Sequence, residues 1–276
     1  LGKSYLASFH GKATELGAEE TAICSSCHGA HDILPKSDPR SHVSAQNLQA
    51  TCAKCHEYAN ENFIKYMVHV DYRNPRDSLI VFYTWLGMTT LLLGVLAVFI
   101  PHSLLWLQRA FGEKGYRRHG LFTLAHGVRE IRRFQPIHRL VHALIIISFM
   151  GLVATGFPIK YSYTEWAHSL ANLFGGIGVM RVLHRALAVI TFLYAGIHLG
   201  WLVYFFVAKC PRPRRRYLLG PNSIVFSMRD LRDALAMARW FFRRGPRPTF
   251  ERWTYFEKFD YWGEIWGVII IGGTGL

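Results

Sequence analysis

Long apolar stretches alternate along the chain with polar, strongly basic ones. Residues 79–100 pass through 22 positions without a charged side chain. At about 1.5 Å rise per residue, a helix of that length crosses a hydrocarbon core of about 30 Å. A second apolar run, 140–159, is entered through Ile137, His138 and Arg139, and a third, 186–208, follows His184 and Arg185. A fourth begins near Tyr261 and is still apolar at Leu276. From Gly263 onward it has only 14 residues, too few to cross, so the pattern predicts a transmembrane segment cut short. Residues 1–78 hold no such run, and with Leu at position 1 and no signal peptide ahead of it the amino end is expected to be incomplete.

These blocks predict an all-α membrane protein, a transmembrane helical bundle with a small outer domain of little regular secondary structure. The expected divisions are an outer domain over 1–78 and a first transmembrane helix over 79–102. A basic inner loop follows over 103–136, then two transmembrane helices within 137–208. A second basic inner loop covers 209–260, and a truncated helix starts in 261–276. Within the second loop, 223–242 reads as a helix capped by Asn222 or Ser223. Ile224, Met228, Leu231, Leu235, Ala238 and Phe242 form its apolar stripe, suited to lying on a membrane surface. Gly245-Pro246-Arg247-Pro248 breaks it.

Charge sets the orientation. Lys and Arg outnumber Asp and Glu by 32 to 18, but the excess is uneven. Residues 1–78 carry eight basic and nine acidic side chains, 103–139 eight basic against two acidic, and 209–260 thirteen against five. The loop 160–185 holds only Lys160, Arg181 and Arg185 against Glu165. Under the positive-inside rule, 103–139 and 209–260 face the cytoplasm and 1–78 faces the periplasmic side of a bacterial-type inner membrane. Arg214-Arg215-Arg216 then serves topology and anionic lipid rather than nucleic acid.

Four of the five cysteines fall in Cys24-Ser25-Ser26-Cys27-His28 and Cys52-Ala53-Lys54-Cys55-His56. Cys-x-x-Cys-His is the spacing of covalent haem attachment. Two thiols bond the two vinyl groups of one haem, and the adjacent histidine becomes the proximal iron ligand. Zinc is the competing use of two cysteine pairs with histidines, but a histidine directly after each pair, on the outer side, favours haem c. The sixth ligands are sought among His10, His69, His31 and His42, in that order. No Met occurs in the first 66 residues, so bis-histidine ligation and low potentials are expected. His31 lies too near His28 to reach the far face of the same haem and suits a neighbouring one better. The haems themselves are expected to act as the core of so small a domain.

Ionisable side chains within spans are costly and usually functional. His138 and His142 are i and i+4 on one helical face, and His184 and His198 return to nearly the same face about 21 Å apart. Such stacking suits two haems b, with Gly196 and Gly200 leaving room for a porphyrin edge beside His198. Antiparallel threading brings His138, His142 and His198 to the inner level and His184 to the outer one. His102 is a weaker neighbour of the inner haem or of a quinone. Glu257, Lys258 and Asp260 are weak candidates for relaying protons to a quinone, or else interfacial anchors.

Together these residues resemble multihaem cytochrome c–di-haem cytochrome b fusions. The membrane half is similar to the gamma-subunit cytochrome b of formate dehydrogenases and of related hydrogenases and thiosulfate reductases. The resemblance is carried by Arg133-Phe134-Gln135-Pro136-Ile137-His138-Arg139-Leu140-Val141-His142, by Thr155-Gly156, by Leu183-His184-Arg185, and by Tyr255-Phe256-Glu257-Lys258-Phe259-Asp260-Tyr261-Trp262. It implies two covalently bound haems c, two haems b, and a quinone or quinol as substrate. It also implies an outer multihaem cytochrome or redox subunit as partner within a larger complex. The expected function is electron transfer between the quinone pool, the b haems and the c haems, as part of a quinol dehydrogenase-like oxidoreductase. The alternative is a non-enzymatic haem-bearing anchor that wires an outer partner to another membrane subunit.

Overall fold

In a computed structural model, residues 2–112, 134 and 136–273 are described. All regular structure among them is helical. The helices are α1 (Gly2–Ala7), α2 (Phe9–Glu15), α3 (Cys24–His28), α4 (Leu48–Ala53), α5 (Leu79–Gly112), α6 (Pro136–Lys160), α7 (Glu165–Leu173), α8 (Ile177–Tyr204), α9 (Arg214–Leu218), α10 (Met228–Phe241) and α11 (Tyr255–Gly267). A 3-10 turn, Phe63–Lys65, and two π-helical turns, Phe205–Lys209 and Val268–Gly272, complete the set. Three helical stretches, Leu79–Phe111, Pro136–Lys160 and Ile177–Lys209, are long and apolar enough to cross a membrane, which marks this as a membrane protein. Most of the expected loop 103–136, residues 113–133 and 135, lies outside the described residues, as do Arg133 and Gln135 of the motif before α6.

Contacts divide the chain into one unit of Leu1–Thr90 with Phe149–Leu187 and another of Leu91–Ser148 with Ala188–Leu276. In the first unit the segment before α5 has only short helices, as its lack of apolar runs requires. Ser8 caps α2 by accepting from Gly11 N. Gly11 lets α2 approach α1, since a Cβ there would sit 2.2 Å from Tyr5 O. Tyr5 Oη donates to Ala22 O and meets Thr14 Oγ1, fastening these helices to the approach to α3. A small core of Leu16, Ala167, Ala171, Ile177 and Met180 joins the end of α2 to α7 and the start of α8. Beside it Ser162, 2% exposed, donates to Glu15 Oε2 at 2.6 Å.

The second unit has its own core of Met237, Trp240 and Phe241 on α10, packed against Leu105, Trp106, Phe250 and Tyr255. The start of α10 differs from the expected helix over 223–242. It begins at Met228, and its cap is Ser227 rather than Asn222 or Ser223. The Ser227 and Asp230 side chains satisfy each other's backbone amides, a reciprocal capping box that outweighs apolar periodicity as a start signal. The expected stripe also divides. Met228, Leu231, Leu235 and Phe242 are exposed, while the buried face carries Asp230, Met237, Trp240 and Phe241. The helix thus packs one face on protein and leaves the other apolar and free.

Candidate haem-binding histidines

The first cysteine pair sits on α3 and the second at the end of α4. Ser26 accepts from Ile23 N and starts the first turn of α3, and Gly29 ends it with φ +78°. A side chain at Gly29 would be strained there, and its Cβ would lie 2.2 Å from Asp32 Oδ1. None of the five cysteines is in a disulfide, and Cys24 and Cys55 are exposed. Burial first, then the neighbouring Cys52 and Cys55, push the Cys27 thiol above its ordinary value, which brings the two motifs into one neighbourhood.

Four of the six histidines of this segment fall into two pairs. His28 and His69 have ring centroids 6.2 Å apart, and His10 and His56 are likewise 6.2 Å apart. Two imidazoles on opposite sides of one metal, with bonds of about 2.0 Å and about 1.1 Å from each nitrogen to its ring centre, give about 6.2 Å. Each pair joins a histidine of a Cys-x-x-Cys-His motif to one of the two first-ranked distal candidates. The neutral imidazole, which is the form that binds metal, is favoured in His10 and His69. Burial and then His56 lower His10, and burial and then His28 lower His69. Ser4 Oγ lies 3.0 Å from His69 Nδ1, and Phe63 packs on the His56 ring at 4.8 Å. His42 is differently engaged, its Nε2 paired with Asp32 Oδ2 at 2.7 Å. His31 is exposed.

Among the described residues, no group of three or more His, Cys, Asp and Glu side chains is gathered to hold a bare metal ion. Haem asks less of the chain, because porphyrin supplies four of the iron's six ligands and protein the axial two. The two histidine pairs with adjacent thiols fit that demand.

The histidines of the long helices make different contacts. His184 on α8 meets Thr155 of α6, Nδ1 to Oγ1, at 2.8 Å. His198 Nε2 bonds Tyr261 Oη of α11 at 2.9 Å, and its ring stacks on Trp201, which also meets His138 at 6.4 Å. His198 and His138 are thus brought to one neighbourhood, while His142 is exposed one turn further along α6. His102 Nε2 bonds Tyr255 Oη. A Cβ added at Gly196 or Gly200 would meet nothing within 4 Å, so the flanks of His198 are open.

The three residues singled out near α11 have distinct surroundings. Glu257 accepts from Thr254 N and Oγ1, completing the capping box in which Thr254 caps α11. Lys258, 4% exposed, bonds Asp230 Oδ1 at 2.8 Å and donates to Val225 O at 3.2 Å. Asp260 is exposed. One turn on, Glu264, a carboxylate not among the sequence candidates, accepts from Tyr194 Oη at 2.9 Å. Its sequence signal was the pairing of Tyr194 and His198 at i, i+4 with Tyr261 and Glu264 at i, i+3. No protein-family model, curated protein or solved structure matches this chain.

Proposed function

We propose that the chain is the membrane electron-transfer subunit of a quinone-linked complex, exchanging electrons between a quinone or quinol pool and c-type haems held by residues 1–78. The observation that carries this reading is the two histidine pairs at 6.2 Å, each built on a Cys-x-x-Cys-His motif. Haem held there and beside the helix histidines supplies reversible one-electron chemistry at iron, at low potential when both axial ligands are imidazoles. Cys24, Cys27, Cys52 and Cys55 would hold two haems through thioether bonds. His28 and His56 would bind iron as the histidines of the two motifs, with His69 and His10 as their respective partners.

His184 and His198, with His138 and His142, are the histidines assigned to b-type haem. The open flanks at Gly196 and Gly200 support this assignment. Quinol oxidation releases two protons with its two electrons. We assign uptake of one to Asp260, which is exposed, because Glu257 and Lys258 are held by structural partners. The excess of Lys and Arg in 103–139 and 209–260 supports the reading that residues 1–78 face the periplasmic side of the inner membrane, where an outer cytochrome or redox subunit would dock. The resemblance to cytochrome c–cytochrome b fusions points the same way.

The test adds a reduced menaquinone analogue to the oxidised, purified full chain and follows the b and c α-bands separately. Reduction of b before c, blocked by a quinone-site inhibitor, is the expected result. Absence of covalent haem on a denaturing gel would overturn the haem reading. Intact haems that neither accept electrons from quinol nor give them to quinone would favour the anchor that only wires an outer partner to another membrane subunit.

A further inference from the structure

The contact between α6 and α8 in the first unit is close. A Cβ at Gly151 would lie 2.6 Å from Leu187 Cδ1, and one at Gly156 would lie 3.4 Å from His184 Cε1. Between these glycines stands Thr155, 1% exposed. Its Oγ1 is 2.7 Å from Gly151 O, one turn back on its own helix, and 2.8 Å from His184 Nδ1 across the interface. A hydroxyl has one proton to give and can also accept. The carbonyl of Gly151 has none, so the threonine proton goes there. Oγ1 is then left to accept, and His184 Nδ1 must carry the hydrogen it accepts. A neutral imidazole has a single N–H, so Nε2 holds the lone pair.

We infer that Thr155 is the positioning residue of a b-type haem ligand. It fixes His184 as the Nδ1–H tautomer with Nε2 available to iron, with Gly156 alongside the ring edge. This rests on the proposed assignment of His184 to haem. A hydrogen bond from the second ring nitrogen orients metal-binding histidines and raises their basicity, and its loss typically lowers metal affinity 10- to 100-fold. In the segment before α5, Ser4 Oγ likewise faces His69 Nδ1, at 3.0 Å.

The experiment uses the full chain and four variants, read by b-haem content, redox titration of the b α-bands and the low-spin resonance spectrum. His184→Ala identifies which b component this histidine holds. Thr155→Val keeps the shape and removes the acceptor. It is expected to lower occupancy of that component, raise its midpoint potential because a less basic imidazole stabilises ferric iron less, and leave the c haems unchanged. Thr155→Ser, which retains the oxygen, is expected to behave as the parent. If the valine variant loses its c haems as well, Thr155→Ala removes the acceptor with less crowding and takes its place. Occupancy, potential and resonance unchanged in the variant lacking the oxygen would overturn the role of Thr155. Every b component surviving in His184→Ala would instead overturn the haem assignment beneath it.

Discussion

Lys258 and Asp230 form the buried ion pair that ties α11 to α10, with side chains 5% and 7% exposed. Removing one partner of such a pair costs about 3–5 kcal/mol, because the other charge stays buried and uncompensated. The two ends are unequal here. After Lys258→Met, Asp230 still accepts from Ser227 N at 2.7 Å and Ser227 Oγ at 3.1 Å, so the loss lies near the lower figure, about 3 kcal/mol. After Asp230→Ala, Lys258 keeps only Val225 O, and α10 also loses its capping box, a further ~1 kcal/mol, for a total of about 4–6 kcal/mol. The double variant Lys258→Met/Asp230→Leu should recover most of the loss and remain short by about the value of the cap. Unfolding of the detergent-solubilised chain by denaturant titration gives all three numbers. The haem-reduction rate of the folded Lys258→Met fraction should match the parent, since the ammonium is engaged structurally. A methionine variant as stable as the parent, or one that folds well but no longer takes electrons from quinol, would refute the reasoning.

Further outcomes follow from other contacts. His69→Ala and His10→Ala should each convert one c haem from low to high spin and let it bind carbon monoxide. His42→Ala should do neither, because its Nε2 is held by Asp32; difference spectra with carbon monoxide decide this. Burial raises the Asp230 carboxyl, but bonds from Lys258 and Ser227 outweigh it and hold the group below its ordinary value. Its contribution is therefore complete above about pH 3.9 and is lost as pH falls through the folded value, a slope that Asp230→Asn should remove from melting curves. Gly29→Ala forces a left-handed residue against Asp32 and should cost about 1–3 kcal/mol, seen as lower yield of covalent haem at the first motif. Ser162→Ala takes the hydrogen bond from Glu15, worth about 1.5–3 kcal/mol for a charged acceptor, and should speed proteolysis near α2.

Hydropathy located the three long helices because uncharged runs of that length have few other uses in a folded chain. It did not find their ends. α5 runs ten residues past His102, through Arg109, and α8 begins at Ile177, nine residues ahead of the apolar run. Arg109 lies over the Trp240 ring and Arg181 over the Phe9 ring, so these cations continue the helices by packing on aromatics, which no hydropathy window registers. The two Cys-x-x-Cys-His motifs were legible because their residues are adjacent in sequence. Which of the other histidines meets which motif was not, since 41 positions separate His28 from His69 and 46 separate His10 from His56. The hydroxyl partners Thr155, Tyr261 and Tyr255 were missed for a related reason. Threonine and tyrosine in apolar helices look like ordinary packing until the facing histidine is known.

One dimension of α5 has a physical consequence for the surrounding lipid. Its 34 residues make a rod about 51 Å long, against a hydrocarbon thickness of about 30 Å. The carboxyl-terminal end is fastened. Leu105 and Trp106 pack on the Met237, Trp240 and Phe241 cluster, Arg109 sits 5.0 Å from the Trp240 ring centre, and His102 bonds Tyr255. A helix held that way cannot slide along its axis to match a thicker or thinner bilayer. It has to tilt, or the lipid around it has to stretch or thin, at fractions of a kcal/mol per Å. Acyl-chain length thus acts on the angle of α5 rather than on its depth, and through His102 and Trp106 that angle is coupled to the seat of α10.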